Sequence, residues 1–241
     1  PLIEPNDNLI NLIHSTINEN NLNIEDGDIF VIAQKIVSKS ENRYVDLNTV
    51  EVSSNAEEMA SKLNKDPGLI QLIMNESHKI ISIEKNVIIV EHKLGYININ
   101  AGIDQSNIPQ DKNLALLLPE NPTKSVEDLQ KGLSKIFNKD ISVIISDSMT
   151  RPYRSGITNF AISSSNLPSL LDLKGKKDMY GNILRGTEVA IADELAAAAG
   201  LLMGQSKESK PVILIKGFIK GKNDINNAFD LIVNENEDLY R

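Results

Sequence analysis

The chain has 241 residues, with 25 Lys and Arg against 33 Asp and Glu and a formal charge of -8 at neutral pH. Its 41% hydrophobic and 24% charged residues are a globular composition, which excludes wholesale disorder. Cys 0 excludes disulfides, thiolate metal sites and a cysteine nucleophile. No apolar run approaches the ~18 residues of a membrane span, and net acidity without a Lys/Arg tract argues against nucleic acid as a main partner.

The start, Pro1-Leu2-Ile3, lacks both Met and a secretory leader pattern, so a missing N-terminus and a cytoplasmic protein are expected. Asn6 or Asp7 is placed to cap a first helix whose Leu9, Ile10, Ile13 and Ile17 follow a helical period. The turn Glu25-Asp26-Gly27-Asp28 then feeds 29–33, a short β-branched run that reads as a buried strand. Ser54-Asn55-Ala56-Glu57 has capping-box spacing, with Ala56, Met59, Ala60 and Leu63 on one helical face behind it. Asp66-Pro67 starts another helix, because proline at the first helical position loses no hydrogen bond. The middle reads as strands at 87–90, 96–100 and 114–118, with a turn at Gly95 and a stop at Pro119. Ser125 is placed to cap a helix carrying Val126, Leu129, Leu133 and Ile136. Strands follow at 141–145 and 212–215, with an alanine-rich helix over 187–203 between them and Gly204 at its C-cap. This alternation lacks a regular βαβ cadence, so the expected class is mixed α/β (α+β). The expected organisation is a single domain over 1–241, one- or two-lobed, with 218–241 as its C-terminal segment.

The chemistry sits at strand ends. Asp104 follows the strand at 96–100, and the strand at 141–145 runs through Ser146 into Asp147 and Ser148. Carboxylates there stand on a rigid base and suit a hard, oxygen-loving cation, although turn-forming aspartates give the same pattern. Gln34-Lys35-Ile36-Val37-Ser38-Lys39 follows a buried strand and is either a solvated charged loop or a lysine pair at a phosphate site. Arg151-Pro152-Tyr153-Arg154-Ser155-Gly156 offers guanidinium forks of the kind that grip phosphate or carboxylate, with surface ion pairing as the alternative. Gly217-Phe218-Ile219-Lys220-Gly221-Lys222-Asn223 is one residue short of a P-loop and reads as a strand-end turn. His14, His78 and His92 are too scattered for a zinc site and read as structural or exposed.

Taken in order, these segments resemble one family, the coenzyme F420-0:L-glutamate ligases (gamma-glutamyl ligases). The likeness rests on Pro1-Leu2-Ile3, Gln34 to Lys39, Asn100 to Asn107, Leu116-Leu117-Leu118-Pro119, Val143 to Ser148 and Arg151 to Gly156. It continues through Asp178-Met179-Tyr180-Gly181, Ala192 to Ala197 and Met203-Gly204-Gln205. The resemblance implies a GTP-dependent ligase that joins L-glutamate to the terminal carboxylate of F420-0, by way of an acyl phosphate, with further γ-linked glutamate as an extension. It also implies two Mg2+ or Mn2+ ions, a monovalent cation as a further candidate, small-molecule partners and a homodimer. Asp104 and Asp147 would hold one ion, and Ser148 and Gln205 the second. Pro1, Leu2, Ile3, Gln34, Lys35, Lys39, Asn107, Met203, Gly204, Gln205, Ser206, Lys207, Glu208, Ser209 and Lys210 would line the GTP site. Lys39 and Arg154 are the candidates for stabilising charge, and no general base is assigned. Some members carry Glu at the place of Gln205, and a neutral ligand should hold its ion more weakly. The alternatives are a related ligase of another carboxylate and a non-catalytic protein that binds GTP and metal.

Overall fold

The computed structural model describes residues 2–109, 112–219 and 225–240. Its first elements are α1 (Leu9–Glu19), β1 (Ile29–Ala33), α2 (Gln34–Ser40), β2 (Tyr44–Asp46), α3 (Ser54–Leu63) and α4 (Pro67–Asn75). There follow β3 (Ser77–Glu84), β4 (Val87–His92), β5 (Ile97–Ile99), β6 (Leu114–Leu116) and α5 (Pro122–Phe137). The last are β7 (Ser142–Arg151), β8 (Arg154–Ser165), β9 (Leu171–Asp172), β10 (Glu188–Val189), α6 (Ile191–Met203) and β11 (Val212–Ile215). The class is mixed α/β, as expected. The chain divides into two compact units, whose boundary falls inside α2 and inside the β7–β8 hairpin.

One unit comprises Asn8–Val37, Asn121–Ser148 and the chain from Gly156 onward. Its four-stranded sheet has the order β11-β1-β7-β8. β1 is antiparallel to β11 and parallel to β7, with Val31 opposite Ile144 and Ala33 opposite Ser146. Strand alternation sends Ile29, Val31, Ile144 and Ile213 to the face covered by Ala192, Ala196, Ala199 and Met203 of α6. The small side chains of α6 let it lie close to the sheet. On the other face Phe30 stacks on Phe137 of α5 at 6.1 Å, and Val143 and Ile145 are fully buried. Each buried Ile or Val there contributes about 1.5–3 kcal/mol relative to exposure.

The other unit comprises the segment ending at Asp7, Ser38–Glu120 and Met149–Ser155. It contains the meander β3-β4-β5, the β2–β6 pair and helices α3 and α4. Its core gathers Ala56, Ala60, Leu63, Ile70 and Ile73 with Ile88, Val90 and Leu117. After β5 the chain takes three successive left-handed residues, Asn100, Ala101 and Gly102, at φ +51°, +56° and +65°. Glycine is required at the third, because a Cβ there would lie 2.9 Å from Asn98 Nδ2 and 3.0 Å from Leu118 Cδ1.

Several boundaries differ from the sequence reading. Asn8, not Asn6 or Asp7, caps α1, accepting from the Asn11 amide at 3.0 Å. Ser53, not Ser54, caps α3; Gln71 takes both its N–H and its hydroxyl proton, at 3.0 and 2.7 Å, and so fixes which of the two serines serves. α5 starts at Pro122 behind Asn121, not at Ser125. The alanine-rich helix starts only at Ile191, since Glu188 and Val189 pair with β9. β7 runs on to Arg151, so Asp147 and Ser148 stand within a strand and not beyond its end. Asp66 caps α4 as expected, accepting from Leu69 N at 3.0 Å.

Candidate functional site

In the unit that ends with the C-terminal part of the chain, β7 supplies Ser146, Asp147 and Ser148. The register with β1 puts Ser146 on the α6 face, and alternation puts Ser148 there too, with Asp147 on the opposite face. Ser146 is 1% exposed, and its Oγ has no hydrogen-bond partner among the described residues. Asp147 is half-buried and accepts from the Ser148 amide at 2.8 Å. Gln34, 3% exposed, and half-buried Lys35 open α2; the segment read as either a charged loop or a phosphate site is a helix.

The stretch 203–210 leaves α6 through Gly204, at φ +73° and ψ -179°, a conformation open essentially to glycine alone. Met203 is buried, and Gln205 to Lys210 are exposed. Gln205 Nε2 donates to Asn159 Oδ1 of β8 at 2.9 Å. The Glu208 carboxylate accepts from Ser206 N at 2.8 Å, and that N–H, followed by its own backbone N–H, holds Glu208 below the ordinary carboxylate pKa. In the first turn of α6, burial raises Asp193 above its ordinary pKa, with the Ala161 N–H at 2.9 Å opposing.

In the other unit, Asp104 exchanges two backbone bonds with Leu116, each 2.9 Å, and its Oδ1 accepts from Ser106 N and Oγ, each at 2.8 Å. Lys39, in the last turn of α2, donates to the Asn107 carbonyl at 2.8 Å, and Asn107 itself is left-handed at φ +53°. Leu2 is 83% exposed and Ile3 is half-buried. Arg154 is exposed, beside Tyr153, which takes φ +60° at the hairpin tip. Pro1 lies outside the described residues, as do Lys220, Gly221, Lys222 and Asn223 of the near P-loop.

Sequence reasoning missed Ser146, Asn159 and Gly200. Asn159 lies in a Ser- and Asn-rich strand, and no spacing marks it. Of the histidines, His92 is buried at 2% exposure, whereas His78 is exposed. Among the described residues no three His, Asp or Glu side chains converge closely enough to hold a metal ion alone. The donors present are carboxylate, hydroxyl and amide oxygens, and the buried Ser146 Oγ remains open. Such a set fits a hard cation whose shell is completed by water and phosphate oxygens. No helix among the described residues is long and apolar enough to cross a membrane.

Oxygen donors on strand β7 and lysines on α2, the helix that follows β1, belong to a mixed α/β protein. The sequence pattern of the F420-0:gamma-glutamyl ligases matches residues 1–217. The chain belongs to that family. It is 43% identical over 222 residues to the coenzyme F420:L-glutamate ligase of Methanocaldococcus jannaschii, covering 90% of this chain and 86% of the relative. The enzyme of that name from Methanothermobacter thermautotrophicus is 41% identical over 218 residues, again 90% and 86% of the two chains. That of Archaeoglobus fulgidus is 33% identical over 242 residues, 100% of this chain and 93% of the relative.

Proposed function

We propose that this protein is a GTP- and divalent-metal-dependent ligase that forms an amide between L-glutamate and the terminal carboxylate of coenzyme F420-0. The observation that carries the reading is the 43% identity, over 90% of this chain, to a relative named for F420 and L-glutamate. A carboxylate is a poor electrophile, so it must be activated before an amine can attack it. In the proposed sequence a carboxylate oxygen of F420-0 attacks the γ-phosphorus of GTP, and the bond to the β-phosphate oxygen breaks to release GDP. The glutamate amine, losing a proton, then attacks the acyl phosphate carbon, and phosphate leaves. A second cycle on the added glutamate would extend the tail through a γ linkage. Divalent ions, when bound, neutralise the phosphate oxygens and hold the attacking and leaving oxygens in line.

The chain's own residues have defined tasks in this scheme. Asp104 and Asp147 would hold one ion, and Ser148 and Gln205 the other. Alternation along β7 supports that division, because it sends Asp147 and Ser148 to opposite faces. Leu2, Ile3, Gln34, Lys35, Lys39, Asn107 and the stretch 203–210 line the nucleotide. The 2.8 Å bond from Lys39 to the Asn107 carbonyl supports the grouping of those two residues. Lys39 and Arg154 add positive charge to a chain of net charge -8 that must gather three anionic substrates. The working form in this reading is a cytoplasmic homodimer. The test is GDP release measured with F420-0, L-glutamate and manganese omitted in turn. Release that needs all three supports the proposal; release driven by another acid reassigns the acceptor; no release under any combination overturns it.

A further inference from the structure

Among the described residues, the hydrogen bonds around Gln205 form a chain that begins in the core. Asn159, in β8, is 7% exposed, and its Nδ2 lies 3.8 Å from Met203 Sδ. A thioether has no proton to donate, so the NH2 end of the Asn159 amide is the end that can face it. Oδ1 must then face the other way, toward Gln205. An acceptor there is satisfied only by an N–H, and Gln205 Nε2 supplies it at 2.9 Å. With its NH2 committed, Gln205 has Oε1 left over. Gly200 of α6 makes room for this arrangement, since a Cβ at that position would lie 2.7 Å from both Asn159 Cγ and Oδ1.

We propose that Asn159, oriented by Met203 and seated against Gly200, is a positioning residue that fixes the Gln205 amide with its carbonyl oxygen toward a divalent cation. The proposal rests on the reading of Gln205 as an oxygen ligand. Gln205 is exposed and would otherwise sample many rotamers, half of them presenting NH2, which repels a cation. Asn159 converts that side chain into a preset neutral oxygen donor. It acts through Gln205 and touches no reacting atom.

The test is manganese binding, read from the free-ion electron paramagnetic resonance signal, with GTP present and both acid substrates absent. Gln205→Ala should weaken binding. Asn159→Ala should weaken it about tenfold or more, the usual cost of removing a group that orients a metal ligand. Gly200→Ala should do the same by displacing Asn159 Oδ1, at a stability cost that alanine's better helix propensity offsets only in part. In the Gln205→Ala background, Asn159→Ala should have no further effect. Parent-like binding by both Asn159→Ala and Gly200→Ala overturns the inference, as does an Asn159→Ala loss of equal size in both backgrounds. Parent-like binding by Gln205→Ala removes Gln205 from the cation site, and the inference falls with that reading.

Discussion

Replacing Gly102 by Ala is expected to strike both the fold and the placement of Asp104. Gly102 sits at φ +65°, where a residue with a Cβ costs about 1–2 kcal/mol. The new methyl would also lie 2.9 Å from Asn98 Nδ2, 3.0 Å from Leu118 Cδ1 and 3.1 Å from Leu118 Cγ. Asn98 is 6% exposed and Leu118 1%, so neither can move into solvent. Forcing a methyl into such packing costs about 1–3 kcal/mol. The two effects together give about 2–5 kcal/mol. Gly27→Ala is the control: φ is +89°, but nothing lies within 4 Å of its Cβ, so only the backbone cost of about 1–2 kcal/mol applies. Urea denaturation followed by circular dichroism measures both variants. Gly102→Ala should be the less stable by about 1–3 kcal/mol, and should alone weaken manganese binding, because it displaces the turn that leads into Asp104. Equal losses would refute the steric argument, and a Gly102→Ala loss below about 0.5 kcal/mol would refute the backbone argument as well.

Three further outcomes are expected. Glu76, 17% exposed, lies 3.7 Å from His92 and from Lys93 and 3.8 Å from Arg43; His92 foremost holds its pKa below the ordinary 4.5, against the effect of burial. Its stabilisation is therefore complete above the unfolded value and lost as pH falls through the lower folded one. Glu76→Gln should cost about 1–2 kcal/mol at neutral pH, between the exposed and buried limits, and the gap to the parent should close on acidification. A gap of constant size in pH-dependent denaturation would contradict this. Asp147→Asn should lose most ligase activity with a melting temperature near the parent's; near-normal turnover would remove Asp147 from the metal site. Asp66→Ala should cost about 1 kcal/mol in urea denaturation by losing the cap on Leu69 N, and a loss under about 0.3 kcal/mol would contradict that role.

Sequence patterns were most readable where one signal dominated. The apolar runs of β1 and β11 and the Asp66-Pro67 start matched the structure residue for residue, since burial or a fixed φ leaves no competing choice. α2 was not legible as a helix because Gln34–Ser40 has only two apolar residues, the adjacent Ile36 and Val37, and no helical period to show. β8 was hidden by its serines and asparagines, whose polar atoms are satisfied by distant partners. Ser164 accepts from Ala228 N at 2.8 Å, and Asn227 donates to the Ser164 carbonyl at 2.8 Å, neither of which spacing along the chain can reveal. Ser53 and Ser54 offer equal caps, and only Gln71, 18 positions beyond Ser53, decides between them. At the candidate site the aspartates stood out because each follows an apolar strand pattern. Asn159 did not, because its importance lies in a bond to Gln205 46 residues away.

The central claim is tested most directly by a mass-resolved ligation assay with F420-0, L-glutamate, GTP and manganese, each omitted in turn. The account predicts a product heavier by one glutamate residue, formed only when all four are present, with a further glutamate increment if the tail is extended. Binding of GTP and manganese without any glutamate-dependent mass gain would contradict it.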